Sequence, residues 1–167
     1  LVNPYFPPQK LTNEIKASFE TLLTKYPSGM NVNSLLAAKN FNVHPENILV
    51  GNGAAELIKA LMESLTGTTG FIRPSFEEYI NRYSRENSVC MTPDNDDFAY
   101  TATDIIAFFE NQPIQNLIIV NPDNPTGNYI PKKQMIELIK WAKKKAIRLV
   151  IDESFVDFAD EENSTLI

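Results

Sequence analysis

Four short apolar runs, each set off by a segment of helical period, constrain this chain more than any other feature. They are TGFIRP (69–74), SVCMTP (88–93), NLIIVNP (116–122) and IRLVIDES (147–154). None shows the strict apolar–polar alternation of a half-exposed strand. Near-continuous runs of this kind suit strands covered on both faces. The segments between them read as helices: FEEYINRYSREN, TDIIAFFEN and the amphipathic PKKQMIELIKWAKKK, with Pro131 at its start. AAELIKALMESL precedes the first run, with Ala54, Leu57, Ile58, Leu61 and Leu65 on a 3.6-residue period. Helix alternating with strand predicts an α/β protein, an α/β/α sandwich around a mostly parallel sheet.

Two more helices are predicted ahead of this block. KLTNEIKASFETLLTKY places Leu11, Ile15, Phe19, Leu22 and Leu23 at helical spacing. After the YPSG turn, NVNSLLAAKNF forms a shorter helix, with Asn31 or Asn33 available as its cap. NILVGNG reads as a short extended piece, and DNDDFAY as an acidic surface loop. Residues 1–30 are expected to form an N-terminal arm and helix, and residues 31–167 part of a larger domain.

The bulk numbers remove several classes. The 167 residues carry a net charge of −6, which argues against a nucleic-acid-binding face. No apolar run approaches the roughly 20 residues that span a bilayer, and LVNPYFPPQK does not read as a secretory signal. A single cysteine, Cys90, and a single histidine, His44, exclude a disulfide framework and argue against a Cys/His metal site. A reducing, cytoplasmic setting is the expectation.

Three places then stand out as chemistry. In IIVNPDNPTGN, two Asn-Pro pairs follow a buried strand. Each proline fixes its own φ and biases the preceding residue toward extended geometry. The result is a shaped loop that leaves Asn121 and Asn124 at the C-terminal end of a strand, where α/β sheets bind ligands. In GNGAAELI, glycines lead into a helix whose first N–H groups, at Ala54 and Ala55, are free to hold a phosphate; a simple connection explains the same residues. It is neither a dinucleotide nor a P-loop fingerprint. In LVIDESF, Asp152 ends an apolar strand, either as a cap for the next turn or as a partner for a cationic ring nitrogen.

In chain order, GNGAAELI, RPSFEEY, NPDNPTG and IDESF resemble the fold-type-I pyridoxal-phosphate-dependent aminotransferases of class I/II. The branch most similar is that of histidinol-phosphate aminotransferase and threonine-phosphate decarboxylase. The resemblance implies pyridoxal 5′-phosphate as cofactor. It implies that the backbone N–H groups of Ala54 and Ala55 hold the cofactor phosphate, and that Phe76 stacks on the pyridine ring. It also implies that Asn124 donates to the ring's O3′ and that Asp152 pairs with the ring nitrogen. The alternative for Phe76, the less favoured of the two, is a core aromatic at a helix start. Tyr26 matches a tyrosine that reaches the phosphate of the other subunit in family dimers, and Asn3 a segment lying over the substrate. Two positions depart from the pattern: Phe155 stands where a tyrosine usually touches O3′, and Ala55 where many relatives carry an acid.

The family's chemistry needs a lysine that bonds covalently to the cofactor, and none of the lysines here has its expected context. The resemblance therefore implies a truncated chain, the N-terminal and central portion of such an enzyme, without the catalytic lysine and small domain and inactive by itself. The implied reaction moves an amino group between an amino acid and a 2-oxo acid or related carbonyl, in a homodimer of the parent. A decarboxylase of a phosphorylated amino acid is the alternative within the family, and a non-catalytic scaffold domain the alternative outside it.

Overall fold

The computed structural model describes residues 6–159. The chain divides into two compact units, Leu1–Val50 and Gly51–Ile167.

The first unit holds helices α1 (Gln9–Thr24) and α2 (Met30–Phe41) and a 3₁₀ turn at Pro45–Asn47. Helix α2 starts earlier than its asparagines suggest. Gly29 occupies the cap position without a side-chain bond, and its carbonyl accepts from the N–H groups of Val32 and Asn33. Asn31 and Asn33 thus lie inside the first turn, and neither is the cap. The helix ends at Asn42, in the left-handed conformation that asparagine tolerates. Ile48 is extended, as NILVGNG predicts, but residues 48–51 join no ladder.

The second unit contains α3 (Ala54–Ser64), β1 (Thr69–Ile72), α4 (Glu77–Asn81), β2 (Ser88–Met91), α5 (Ala102–Phe109), β3 (Asn116–Val120), α6 (Lys132–Lys144) and β4 (Arg148–Asp152). All strand pairs are parallel, in the order β2-β1-β3-β4. Helix is expected from Phe76 to Asn87, but α4 keeps only one turn and a 3₁₀ turn follows at Arg85–Asn87. Asn81, Ser84 and Asn87 are residues whose side chains compete with helical backbone bonds, and Arg82 already leaves helical geometry.

The period-2 geometry of the strands sorts their side chains onto two faces. Leu117 and Ile119 of β3 join Ile105 and Phe109 of α5 and Met135 and Leu138 of α6 in one core. Ile118 and Val120 join Ile58 and Met62 of α3 and Tyr79 of α4 in the other. All five residues of β3 are buried, as a strand covered by helices on both sides requires. The four apolar runs are thus the middle layer of a three-layer α/β/α sandwich. Thr101 and Asp104 start α5 with reciprocal side-chain–backbone bonds, a capping box.

The strand order fixes where a ligand site forms. From β1 the chain moves to β2 on one side, then crosses back to β3 on the other. The loops leaving β1 and β3 therefore diverge at the same edge of the sheet and open a crevice between them.

Candidate active site

The crevice is lined by the loop after β1 and the loop after β3, and the end of β4 is bonded to the latter at Asn121. In the β3 loop, Asn121 is buried and its side-chain amide is bonded to Ile130 at both ends. Its Nδ2 donates to the carbonyl of Ile130 at 3.0 Å, and its Oδ1 accepts from the N–H of Ile130 at 2.8 Å. Asn121 closes the loop on itself, which frees Asn124 to line the crevice. The Arg73–Pro74, Asn121–Pro122 and Asn124–Pro125 peptide bonds are cis.

Asp123, between the two Asn-Pro pairs, is 4% exposed. Its carboxylate accepts one hydrogen bond from the hydroxyl of Ser75, in the β1 loop, and another from that of Thr126. Its carbonyl accepts from the N–H of Gly127, whose φ of 73° lies in the region glycine favours. A buried carboxylate with both oxygens engaged ties the two loops together.

That tie holds open a cleft of about 370 Å³ whose walls include Phe76 and Pro74 on one side and Asn124 and Pro125 on the other. Phe76 remains 36% exposed, so its ring is no core residue. Its edge meets Tyr79 with ring centroids 6.3 Å apart and planes at 76°.

Tyr79 connects the aromatic wall to Asp152. Its hydroxyl donates to Asp152 Oδ2 at 2.7 Å. Asp152 Oδ1 accepts from the N–H of Ser154 at 2.8 Å and from its hydroxyl. The Ser154 bonds are what a strand-end cap would make; the Tyr79 bond, from another element, is not. Burial pushes the Tyr79 phenol well above its ordinary range, and the Asp152 hydrogen bond and charge add to this. The hydroxyl is therefore protonated at neutral pH and acts as donor. The end of β3 also fixes Asp152 through its backbone: the N–H of Asn121 donates to the Asp152 carbonyl at 2.8 Å.

Ala54 and Ala55 are exposed in the first turn of α3. Gly53 precedes them with φ 91°, and Glu56 folds back to accept from the N–H of Asn52 at 2.5 Å. The earliest residue of the helix with an intrahelical acceptor is Leu57, bonded to the Gly53 carbonyl. Helix α3 packs in one core with Tyr79 and Val120 and leads into β1 within five residues. It therefore runs back along the sheet, with its first turn toward the edge where the strands end. Phe155 lies just past β4, with its ring 6.3 Å from that of Phe158. Tyr26 belongs to the first unit and is fully exposed. Asn3 lies outside the described residues.

Sequence reasoning missed Tyr79, Ser75 and Asp123. Tyr79 had a signal, since it follows Phe76 by three residues and so shares its helical face. The Ser75–Asp123 bond had none, because 48 residues separate its partners.

This is the architecture of the large cofactor domain of fold-type-I pyridoxal-phosphate enzymes. The chain belongs to the class I and II aminotransferase family, whose model matches residues 10–166. It is 32% identical to L-serine phosphate decarboxylase of Sulfurospirillum multivorans over 150 residues, 88% of this chain and 38% of that protein. It is 28% identical to histidinol-phosphate aminotransferase of Leuconostoc citreum over 170 residues, 99% of this chain and 48% of that protein. A solved decarboxylase from Sulfurospirillum multivorans superimposes with a TM-score of 0.78 at 28% identity, covering 99% of this chain and 46% of that one. The chain thus spans less than half the length of these relatives.

The family's cofactor is pyridoxal 5′-phosphate, and the donor set fits it. An exposed helix start offers N–H groups of the kind that take a phosphate. The cleft is roomy enough for a substituted pyridine, with an aromatic wall and an amide facing it. Asp152 is held by two neighbours as an acceptor.

Proposed function

We propose that this chain is the cofactor-holding part of an enzyme that breaks a bond at the Cα of a phosphorylated amino acid or amine. The observation that carries the reading is the Phe76–Asn124 cleft, linked through Tyr79 to Asp152. When bound there, pyridoxal 5′-phosphate supplies an electron sink for that bond breaking. In this reading the backbone N–H groups of Ala54 and Ala55 hold the phosphate. Phe76 covers one ring face and excludes water from it. The Asn124 amide donates to the ring oxygen O3′, a task Phe155 cannot share because it has no hydroxyl. Asp152 holds the proton on the ring nitrogen by ion pairing.

Decarboxylation is the reading we favour, because a relative at 32% identity is an L-serine phosphate decarboxylase. Aminotransfer, the reading the motifs suggest first, is supported by a histidinol-phosphate aminotransferase aligned over 99% of the chain. A phosphorylated substrate is common to both names.

The lysine for covalent attachment is assigned to polypeptide outside these residues, since none of the residues lining the cleft is a lysine. The isolated chain is accordingly expected to bind the cofactor weakly and to turn nothing over. We assign the parent enzyme to the cytoplasm as a homodimer, with Tyr26 reaching the phosphate site of the second copy.

The test is to load the full-length polypeptide with cofactor and supply O-phospho-L-serine, with and without 2-oxoglutarate. Release of CO₂ independent of the oxo acid supports decarboxylation; glutamate formation supports aminotransfer. Reaction with serine but not with its phosphate contradicts the phosphorylated-substrate reading.

A further inference from the structure

We propose that Tyr79 is a positioning residue for the cofactor: through its hydrogen bond it aims the Asp152 carboxylate at the ring nitrogen. The inference rests on the reading that Asp152 receives that nitrogen. The observations are geometric. A strand-end carboxylate can rotate about χ1 and χ2, and Ser154 restrains only Oδ1. Tyr79 restrains Oδ2, at 2.7 Å, and so fixes the plane of the group.

Tyr79 is itself immobile. It is 6% exposed and packed in the core that holds Ile58, Phe71, Ile118 and Val120. Its hydroxyl is kept protonated, so it donates in one direction only. A carboxylate oxygen has two lone-pair directions. One on Oδ2 goes to Tyr79, and the other remains for an incoming N–H.

The same ring meets Phe76 edge to face. One core side chain therefore touches both the Phe76 wall of the cleft and the Asp152 carboxylate. A cofactor lying against Phe76 would meet Asp152 in a fixed orientation.

The experiment uses ligands without an aldehyde, so that no lysine reacts. Dissociation constants are measured for pyridoxamine 5′-phosphate and for its 1-deaza analogue, in which C–H replaces the ring nitrogen, on the unaltered full-length polypeptide and on its Tyr79→Phe variant. Tyr79→Phe keeps the buried ring and its contact with Phe76. The unaltered protein should prefer the nitrogen ligand. Tyr79→Phe should weaken that ligand about tenfold, the size of a hydrogen bond to a charged group, while changing the analogue less than about twofold.

A second variant, Tyr79→Leu, removes the ring and should weaken both ligands. Equal losses for both ligands in Tyr79→Phe, or no loss for either, overturn the proposal while leaving Asp152 as the nitrogen's partner. If the unaltered protein shows no preference between the ligands, the reading of Asp152 fails and the role of Tyr79 fails with it.

Discussion

Ser75 donates its hydroxyl to the Asp123 carboxylate, and this one hydrogen bond joins the loop leaving β1 to the loop leaving β3. The strands that carry the loops pair at Thr69↔Asn116 and Gly70↔Leu117, before the loops begin. Asp123→Ala leaves two partly buried hydroxyls without this acceptor. It should cost about 2–3 kcal/mol of stability, read as a shift in the urea midpoint. Asp123→Asn, which keeps one acceptor oxygen, should cost less. An unchanged midpoint in Asp123→Ala would mean that the loops hold their shape without this tie.

Gly70 of β1 packs directly against Phe109 of α5. A Cβ there would stand 2.7 Å from the ring of Phe109 and 3.0 Å from a methyl of Leu117. Both neighbours are fully buried and cannot withdraw. Gly70→Ala should therefore destabilise by about 1–3 kcal/mol through overpacking. Thermal unfolding checks it. A stabilised variant would show that the layer between β1 and α5 is looser than described.

The capping box of α5 gives a pH dependence with a definite sign. Hydrogen bonds from the Thr101 hydroxyl and backbone N–H hold the Asp104 carboxyl below its usual range. A folded-state value below the unfolded one means that the contribution is complete above the ordinary carboxylate range. It is lost as pH falls through the lowered value. The stability difference between the protein and Asp104→Asn should thus shrink on acidification below about pH 4. Thr101→Ala should cost about 1 kcal/mol at neutral pH. A difference that grows on acidification would contradict the assignment.

Phe76 separates binding from folding. It is more than a third exposed, so Phe76→Ala should change stability by no more than about 1 kcal/mol. It should weaken cofactor binding several-fold, because the ring loses its stacking wall. Calorimetric titration and thermal unfolding on the same samples measure both. Unaltered binding would remove Phe76 from the site.

The middle of the sandwich was legible in the sequence because its signal is local and repeated. NLIIV and RLVID are apolar over most of their length, and each became a strand of the covered sheet. The short α4 was less legible, because FEEYINRYSREN carries helical spacing throughout while its polar residues end the helix at Asn81. Asn121 was readable as a polar group at a strand end, but not as one bonded to Ile130 through both its oxygen and its nitrogen. Asp152 could be read equally as a cap or as a site residue. The bond that separates the two comes from Tyr79, 73 residues away, and no local pattern announces a partner at that distance.

The most direct test of the account is a crystal structure of the protein with pyridoxal 5′-phosphate. The predicted result places the phosphate on the N–H groups of Ala54 and Ala55, the ring between Phe76 and Asn124, and the ring nitrogen within hydrogen-bond distance of Asp152. A phosphate bound away from the start of α3, or a ring nitrogen facing any group other than Asp152, would contradict it.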